Sequence, residues 1–212
     1  MPTDAPRRRR PEAIGARPDA GPEARAGTAA PSTVHPAANP ATATTRWFVA
    51  LRPAPQARRA LQREAQRIAA LCSGRVVPAE RIHLTLAFIG EAPRSREAAM
   101  SATVAALPAP QALRLDRIGS FDGRLLWIAP SAPAPWLADL ASALRDGLDR
   151  LGVAFDRKKF TAHVTLVRDA RPTRGPALEA LSDGLAPIVL HGCTLHLVES
   201  TSGPTGLRYR FA

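Results

Sequence analysis

A tetrapeptide of the form His-x-Thr-Leu occurs twice in this chain, at residues 83–86 and again at residues 163–166. The chain contains five His, and two of them carry this pattern 80 positions apart (163 − 83). In an extended strand, residues i and i+2 point to the same face. Each tetrapeptide therefore predicts an imidazole beside a hydroxyl, and two facing pairs would form a cleft with two acid–base groups and two hydrogen-bond donors.

The repeat is wider than the two motifs. Three further matches occur at the same offset: Trp47 with Trp127, residues 53–55 (Pro-Ala-Pro) with residues 133–135, and Leu71 with Leu151. In each half, an apolar strand-like run leads through Pro-x-Pro into a helical pattern and then into the His-bearing strand. This order predicts a duplicated, two-lobed domain with pseudo-twofold symmetry.

The two predicted helices cover residues 55–71 and 135–151, and each has Pro near its start, as helices favour. Their apolar side chains follow the i, i+3, i+4, i+7 spacing of one buried face: Ala57, Leu61, Ala65, Ile68 and Leu71, then Leu137, Leu140, Leu144, Leu148 and Leu151. Gly74 and Gly152 stand just past the two helix ends and are expected to terminate them.

The remaining elements indicate antiparallel pairing. Residues 113–118 and 124–128 are strand-like runs joined by a loop at 119–123, and residues 188–198 and 207–211 flank a turn-rich link at 200–206. A further helix is expected over residues 94–107. The predicted fold class is α+β: a bilobal, duplicated domain of antiparallel sheets flanked by helices, with the His-x-Thr strands facing a central cleft.

Composition divides the chain near residue 45. Residues 1–45 are rich in Ala, Pro and Arg and cannot bury enough apolar surface to offset their ordering entropy, so we expect a disordered basic tail. Residues 46–212 suit one domain, and no stretch approaches the ~18 apolar residues of a membrane span. Cys72 and Cys193 have no CxxC or metal-binding spacing, which favours a reduced, cytoplasmic setting.

The net charge of +11 favours a polyanionic partner. The tail contributes +2 from six Arg and four acidic residues, so residues 46–212 carry +9, nearly all from Arg. Arg prefers planar, bidentate contact with phosphate. Charge alone does not separate RNA from DNA.

Two His in a pseudo-twofold cleft suit the in-line cleavage of a phosphodiester. One imidazole would accept a proton from water and the other would donate one to the leaving oxygen, while the Thr hydroxyls would hold the non-bridging oxygens. A catalytic zinc site needs three protein ligands, and neither motif has Asp, Glu or Cys beside it. No Gly-x-Ser-x-Gly elbow is present. His191 and His196 lack the Thr and are expected to be structural.

Longer segments resemble the two-histidine phosphoesterase superfamily, and within it the bacterial and archaeal RNA 2′,3′-cyclic phosphodiesterases, also called 2′-5′ RNA ligases. The segments that carry this resemblance are residues 77–91, 118–121 with 126–128, 160–168, and 199–200 with Tyr209. The similarity covers nearly all of residues 46–212 and is not limited to these segments. Ala162 departs from the family, which usually has Pro before the second His.

The resemblance implies hydrolysis of a 2′,3′-cyclic phosphate at an RNA end to a 2′-phosphate, without metal or cofactor, by a monomer. It implies catalytic roles for His83 and His163 and phosphate contacts for Thr85 and Thr165. We assign the acid to His83 and the base to His163, and the pseudo-symmetry leaves the reverse assignment open. Whether hydrolysis or the reverse 2′-5′ joining of RNA ends is the cellular reaction also stays open.

Arg168 matches a family position near the substrate, and it aligns with Phe88 in the repeat. Strict alternation would turn both side chains away from the cleft, unless each strand ends or bulges first. At the rim, a guanidinium and an aromatic ring could stack on a nucleobase, whereas core packing is the alternative for Phe88. A phosphodiesterase of a small cyclic nucleotide and a non-catalytic RNA-end-binding module are the alternative functions.

Overall fold

Both predicted strand–helix–strand units are present in a computed structural model of the chain, which describes residues 43–171, 176–204 and 206–212. In chain order the elements are β1 (Thr44–Arg52), α1 (Pro55–Cys72), β2 (Arg75–Val76), β3 (Leu84–Pro93), α2 (Glu97–Ala105), β4 (Leu113–Leu115), β5 (Arg117–Phe121), β6 (Leu125–Ala129), α3 (Pro135–Arg150), β7 (Val164–Arg168), α4 (Pro176–Ser182), β8 (Ile188–Leu190), β9 (Thr194–Gly203) and β10 (Gly206–Phe211). Strand β1 begins two residues before the predicted start of the domain, and the predicted tail up to residue 42 lies outside the described residues.

Eight of the ten described strands form one large antiparallel sheet in the order β10-β9-β1-β3-β7-β6-β5, and β2 pairs with β7 beside this path. The pairs β1–β3 and β6–β7 are the two copies of the repeat, and their His-bearing strands meet at the centre through Leu84 and Val164. Helix α1 packs against β7, and α3 packs against β3, so each half places its helix on the other half's central strand. The predicted antiparallel α+β fold is confirmed.

The two long helices agree with the prediction except at the end of α1, and the third, predicted over residues 94–107, is shorter, since α2 covers only Glu97–Ala105. Leu71 is 63% exposed, whereas Cys72, four residues after Ile68, completes the buried face. The left-handed residue that ends α1 is Ser73 and not Gly74. Gly74 is required for a different reason, because a Cβ there would lie 2.2 Å from Cγ1 of Val167 in β7. It therefore allows α1 to lie close to the central strands.

Two predicted strands are each divided in the structure. The run 113–118 becomes β4 and β5, and the run 188–198 becomes β8 and β9, because β4 and β8 leave the main sheet and pair with each other. Strand β5 continues to Phe121, so residues 119–121 are strand and not loop. The turn to β6 is made by Asp122 and Gly123, which both have positive φ, as tight hairpin turns require.

The alignment of Trp47 with Trp127 is wrong in three dimensions. Ala50 pairs with Thr85, and Trp127 pairs with Thr165, so Trp127 occupies the position of Ala50 at an offset of 77 (127 − 50). The connection from strand to helix has two residues in the first half and five in the second, and these three extra residues restore the offset of 80 from the helices onward. Trp47 lies in the core and donates its indole N–H to the Ala92 carbonyl.

Candidate active site

The four side chains of the His-x-Thr motifs lie on one face of the sheet. Because Leu84 pairs with Val164 in antiparallel register, the flanking positions place His83 across from Thr165 and His163 across from Thr85. Leu84 and Val164 are fully buried on the helix side, and the four motif side chains are half-buried on the other face. Facing Cβ atoms in such pairs lie about 5 Å apart, so the imidazoles occupy diagonal corners of one cluster.

Both imidazoles are oriented in the same way. The His83 Nδ1 atom lies 2.6 Å from the Arg81 carbonyl oxygen, and the His163 Nδ1 atom lies 2.7 Å from the Thr161 carbonyl oxygen. A carbonyl oxygen only accepts, so Nδ1 carries the proton in each ring and donates it. The Nε2 atom is left to exchange protons, and both His line one cavity of about 430 Å³ together with Thr85 and Thr165.

Each imidazole also packs between two aromatic rings. His83 lies 4.9 Å from the Phe48 ring and edge-on at 5.6 Å from Tyr209. His163 lies edge-on at 5.0 Å from the Phe121 ring and 6.2 Å from Trp127. No sequence motif indicates a role for these rings. Their contacts fix the ring planes and remove water from the imidazoles.

The cavity disfavours the charged form of both imidazoles. Burial lowers the pKa of His83 to about 4; its hydrogen bond to Arg81 opposes this shift, and the nearby charges of Arg168 and His163 add to it. Burial likewise lowers the pKa of His163, with a further contribution from Arg168. An anionic phosphate bound between the rings would raise both pKa values, because an opposite charge favours the protonated form.

We expect the pH profile of kcat/KM to be bell-shaped with its maximum below pH 6.5. Acid–base catalysis by the predicted pair would need one protonated and one neutral imidazole, so the profile would be bounded by two apparent pKa values that belong to the pair. Both values are lowered from 6.5, so the active form is lost above the upper of the two. Initial rates at low substrate from about pH 4 to about pH 9 check this, and a maximum above neutrality would contradict it.

The substitution Arg168→Gln should move this profile towards higher pH. It removes a positive charge that lowers the pKa of both imidazoles, so protonation becomes easier in each. Arg59→Gln, on the exposed surface of α1, is the matched control and should leave the profile in place. Equal profiles for both variants would show that Arg168 does not set these pKa values.

The positions of Arg168 and Phe88 depend on two β-bulges. Relative to their neighbours β1 and β6, strand β3 has an extra residue at Leu86 and strand β7 has one at Leu166. A bulge resets the alternation of side chains. Phe88 and Arg168, three residues after each Thr, therefore line the same cavity as the motifs. Phe88 is 54% exposed, so core packing is the wrong interpretation of this residue.

His191 and His196 lie away from the motif cluster. His196 contacts the Thr194 hydroxyl at 2.8 Å and the Ala212 carbonyl oxygen at 3.2 Å. His191 falls between β8 and β9, so the two do not belong to one regular strand as the sequence suggested. In the described part of the chain, no three His, Cys, Asp or Glu side chains group closely enough to hold a metal ion.

Gly119 makes room for the indole beside His163. It faces Trp127 across the β5–β6 pair, and a Cβ at this position would lie 2.0 Å from the indole Cη2 atom. Gly119→Ala should therefore displace the ring, at a cost of about 1–3 kcal/mol in unfolding free energy, and should lower kcat. Urea unfolding and steady-state rates check this. Gly203→Ala, whose Cβ would meet only ordinary contacts, is the control and should leave both quantities near wild type.

The amino-acid sequence matches one protein family and two related enzymes. A family model described as the 2′-5′ RNA ligase superfamily matches residues 53–204. The RNA 2′,3′-cyclic phosphodiesterase of Escherichia coli K12 is 37% identical over 100 residues, which are 46% of this chain and 57% of that protein. The enzyme of the same name from Geobacillus stearothermophilus is 33% identical over 96 residues, 42% of this chain and 30% of that protein. These matches therefore span less than two thirds of either relative.

Two solved structures extend the similarity over most of the chain. E. coli LigT complexed with 3′-AMP superposes with a TM-score of 0.66 at 26% identity, covering 80% of this chain and 96% of LigT. A protein of Thermus thermophilus superposes with a TM-score of 0.59 at 27% identity, covering 78% of this chain and 94% of that protein. No helix among the described residues is long and apolar enough to cross a membrane.

Proposed function

The chain belongs to the 2′-5′ RNA ligase superfamily, and from that premise we propose that it hydrolyses a 2′,3′-cyclic phosphate at an RNA end to a 2′-phosphate. The observation that carries the proposal is the diagonal pair of imidazoles, each with Nδ1 held by a backbone carbonyl and Nε2 free in one shared cavity. In-line displacement needs a proton acceptor on one side of phosphorus and a proton donor on the other. The names of the E. coli and G. stearothermophilus relatives agree with this reaction.

In the proposed mechanism, Nε2 of His163 accepts a proton from water as the water oxygen attacks phosphorus. The P–O3′ bond breaks, and the protonated Nε2 of His83 donates its proton to the departing 3′ oxygen. The Thr85 and Thr165 hydroxyls donate hydrogen bonds to the non-bridging oxygens, and Arg168 stabilises the charge that develops on them. After the reaction, His163 releases its proton to solvent and His83 takes one up from solvent, which restores the starting protonation states.

The same proton transfers serve a second nucleophile. If a 5′-hydroxyl of another RNA takes the place of water, attack on the cyclic phosphate forms a 2′-5′ phosphodiester. Phe88, exposed at the rim of the cavity, is proposed to stack on the terminal base, since unpaired RNA bases are commonly held on aromatic rings. We expect no metal or cofactor to take part.

Incubation of the protein with a short RNA ending in a 2′,3′-cyclic phosphate, in the presence of a chelator, tests the proposal. The expected product carries a 2′-phosphate and a free 3′-hydroxyl, which treatment with phosphatase and comparison with synthetic 2′- and 3′-phosphate standards identify. A 3′-phosphate product, or activity that is lost with chelator and restored by a divalent cation, would reject the mechanism. If the protein hydrolyses small cyclic nucleotides but not RNA ends, its substrate class is small cyclic nucleotides and not RNA.

A further inference from the structure

A groove opens from the central cavity on the His83 side. It has a volume of about 490 Å³ and shares His83, Thr165 and Arg168 with the cavity. Three more arginines line it, Arg75, Arg81 and Arg124, and we call it the arginine groove. It reaches from the motif cluster to the hairpin turn between β5 and β6.

The arginine groove carries an excess of positive charge. Asp169 is the acidic residue that lines it, and Arg75 pairs with this carboxylate through Nε at 2.7 Å. Four arginines and one aspartate give a net charge of +3 (4 − 1). Arg81 uses one guanidinium nitrogen on the Leu207 carbonyl at 3.3 Å, and within the described residues the side chain of Arg124 has no hydrogen-bond or ion-pair partner. Both retain donors for an anion.

The groove on the opposite side of the cavity has a different chemistry. It has a volume of about 270 Å³, starts from His163 and Thr85, and is lined by the rings of Phe88, Phe121 and Phe160. Its charged residues are Arg145, Lys158, Lys159 and Asp156, and Lys158 lies 3.5 Å from the Asp156 carboxylate. We call it the aromatic groove.

The two grooves are related by the repeat. Each begins at one His and at the Thr across from it, and the position held by Arg168 in one groove is held by Phe88 in the other. The duplication therefore supplies two equivalent exits from the cleft. Four arginines line one exit, whereas three phenylalanine rings line the other together with Arg145, Lys158 and Lys159.

We infer that the arginine groove binds the RNA phosphate on the 5′ side of the terminal nucleoside, and that this contact selects polynucleotide ends over mononucleoside cyclic phosphates. The inference rests on the proposed function. A terminal nucleoside held by its cyclic phosphate extends a flat base in one direction and its 5′-phosphate in another. Aromatic rings suit the base, and guanidinium groups with free donors suit the phosphate.

Arg124 is the residue best suited to a test. It lies at the β5–β6 turn, away from the motif strands, and its side chain is exposed. Its backbone carbonyl accepts a hydrogen bond from the Ala170 N–H, which holds the turn against β7 whatever side chain is present. Arg124→Glu therefore changes the charge of the groove while the backbone contact remains. Arg59→Glu, on the outer surface of α1, makes the same charge change away from the cleft.

The experiment compares kcat/KM on adenosine 2′,3′-cyclic phosphate with kcat/KM on a tetra-adenylate that ends in a 2′,3′-cyclic phosphate. We expect the wild type to prefer the tetranucleotide. Arg124→Glu should lower the tetranucleotide value about tenfold or more, because a charge-assisted contact is lost and reversed. The mononucleoside value should change by less than about twofold, and loss of the contact should weaken the salt dependence of tetranucleotide binding by about 0.7 in log–log slope. Arg59→Glu should match the wild type on both substrates.

Failure of this inference and failure of the proposed function give different results. Equal losses on the two substrates, or an unchanged tetranucleotide value for Arg124→Glu, would overturn the inference while leaving hydrolysis intact. If the wild type hydrolyses neither substrate, the proposed function fails. In that case, fluorescence anisotropy with a labelled tetranucleotide measures binding by the arginine groove directly. Equal affinity of wild type and Arg124→Glu would overturn the inference in this assay as well.

Discussion

Replacement of His83 or His163 by Ala should lower kcat/KM for an RNA 2′,3′-cyclic phosphate by a factor of about 10²–10⁴ in either case. Both rings line the shared cavity and have Nδ1 held by a backbone carbonyl, so the proposed proton transfer through Nε2 is the contribution that Ala would remove. The double variant should be little worse than the weaker single variant, because groups that act in one step are not additive. Single-turnover rates with a labelled RNA end measure the chemical step directly.

His191→Ala is the matched control for this pair. His191 lies between β8 and β9, outside the motif cluster, and its replacement should leave the rate within about twofold of wild type. Circular dichroism and thermal unfolding should be recorded for all three variants, because His83 and His163 also pack against aromatic rings. A folded His83→Ala or His163→Ala protein that retains a rate within a few-fold of wild type would remove that imidazole from the mechanism.

The sequence predicted well those elements that periodicity alone specifies. Helices α1 and α3 follow from apolar spacing and from Pro at their starts, and the structure departs mainly at the last turn of α1, where Cys72 is buried and Leu71 is exposed. Residues 68 and 71, three apart, satisfy the same template as residues 68 and 72, four apart. Only the contact with β7, held close by Gly74, decides between them.

The pairing of strands that are distant in sequence could not be predicted from local patterns. Strands 113–118 and 188–198 read as continuous runs, yet each divides because half of it pairs in a second sheet. Tyr209 and Phe48 reach His83 from strands that are distant in sequence, so no spacing rule indicated them. The Trp47–Trp127 match was a coincidence of the longer strand-to-helix connection in the second half.

Each of the two bulges corresponds to a local sequence pattern that a prediction based on strict alternation overlooks. In each His-bearing strand two consecutive residues are buried after the Thr, Leu86 with Ala87 and Leu166 with Val167. Two adjacent apolar residues in an otherwise alternating strand are what a bulge produces, because the extra residue shifts the phase. This pair of adjacent apolar residues occurs in both His-bearing strands, at an offset of 80, and is therefore visible in the sequence. The two changes of side-chain alternation bring Phe88 and Arg168 to the cavity.

A substrate with an activated leaving group should separate the roles of the two imidazoles. In a nucleoside phosphodiester whose departing group is 4-nitrophenolate, the leaving oxygen needs little protonation, while water still needs a base. Under the proposed roles, the His83→Ala defect should therefore shrink from about 10²–10⁴-fold to within about tenfold on this substrate, and the His163→Ala defect should persist. Rates of both variants and of wild type on the aryl substrate and on the cyclic phosphate, at one pH and one ionic strength, provide the comparison. The opposite pattern would reverse the roles, because the repeat gives both rings the same Nδ1 anchor and the same access to phosphorus. Equal defects on the two substrates would mean that neither imidazole acts mainly on the leaving oxygen.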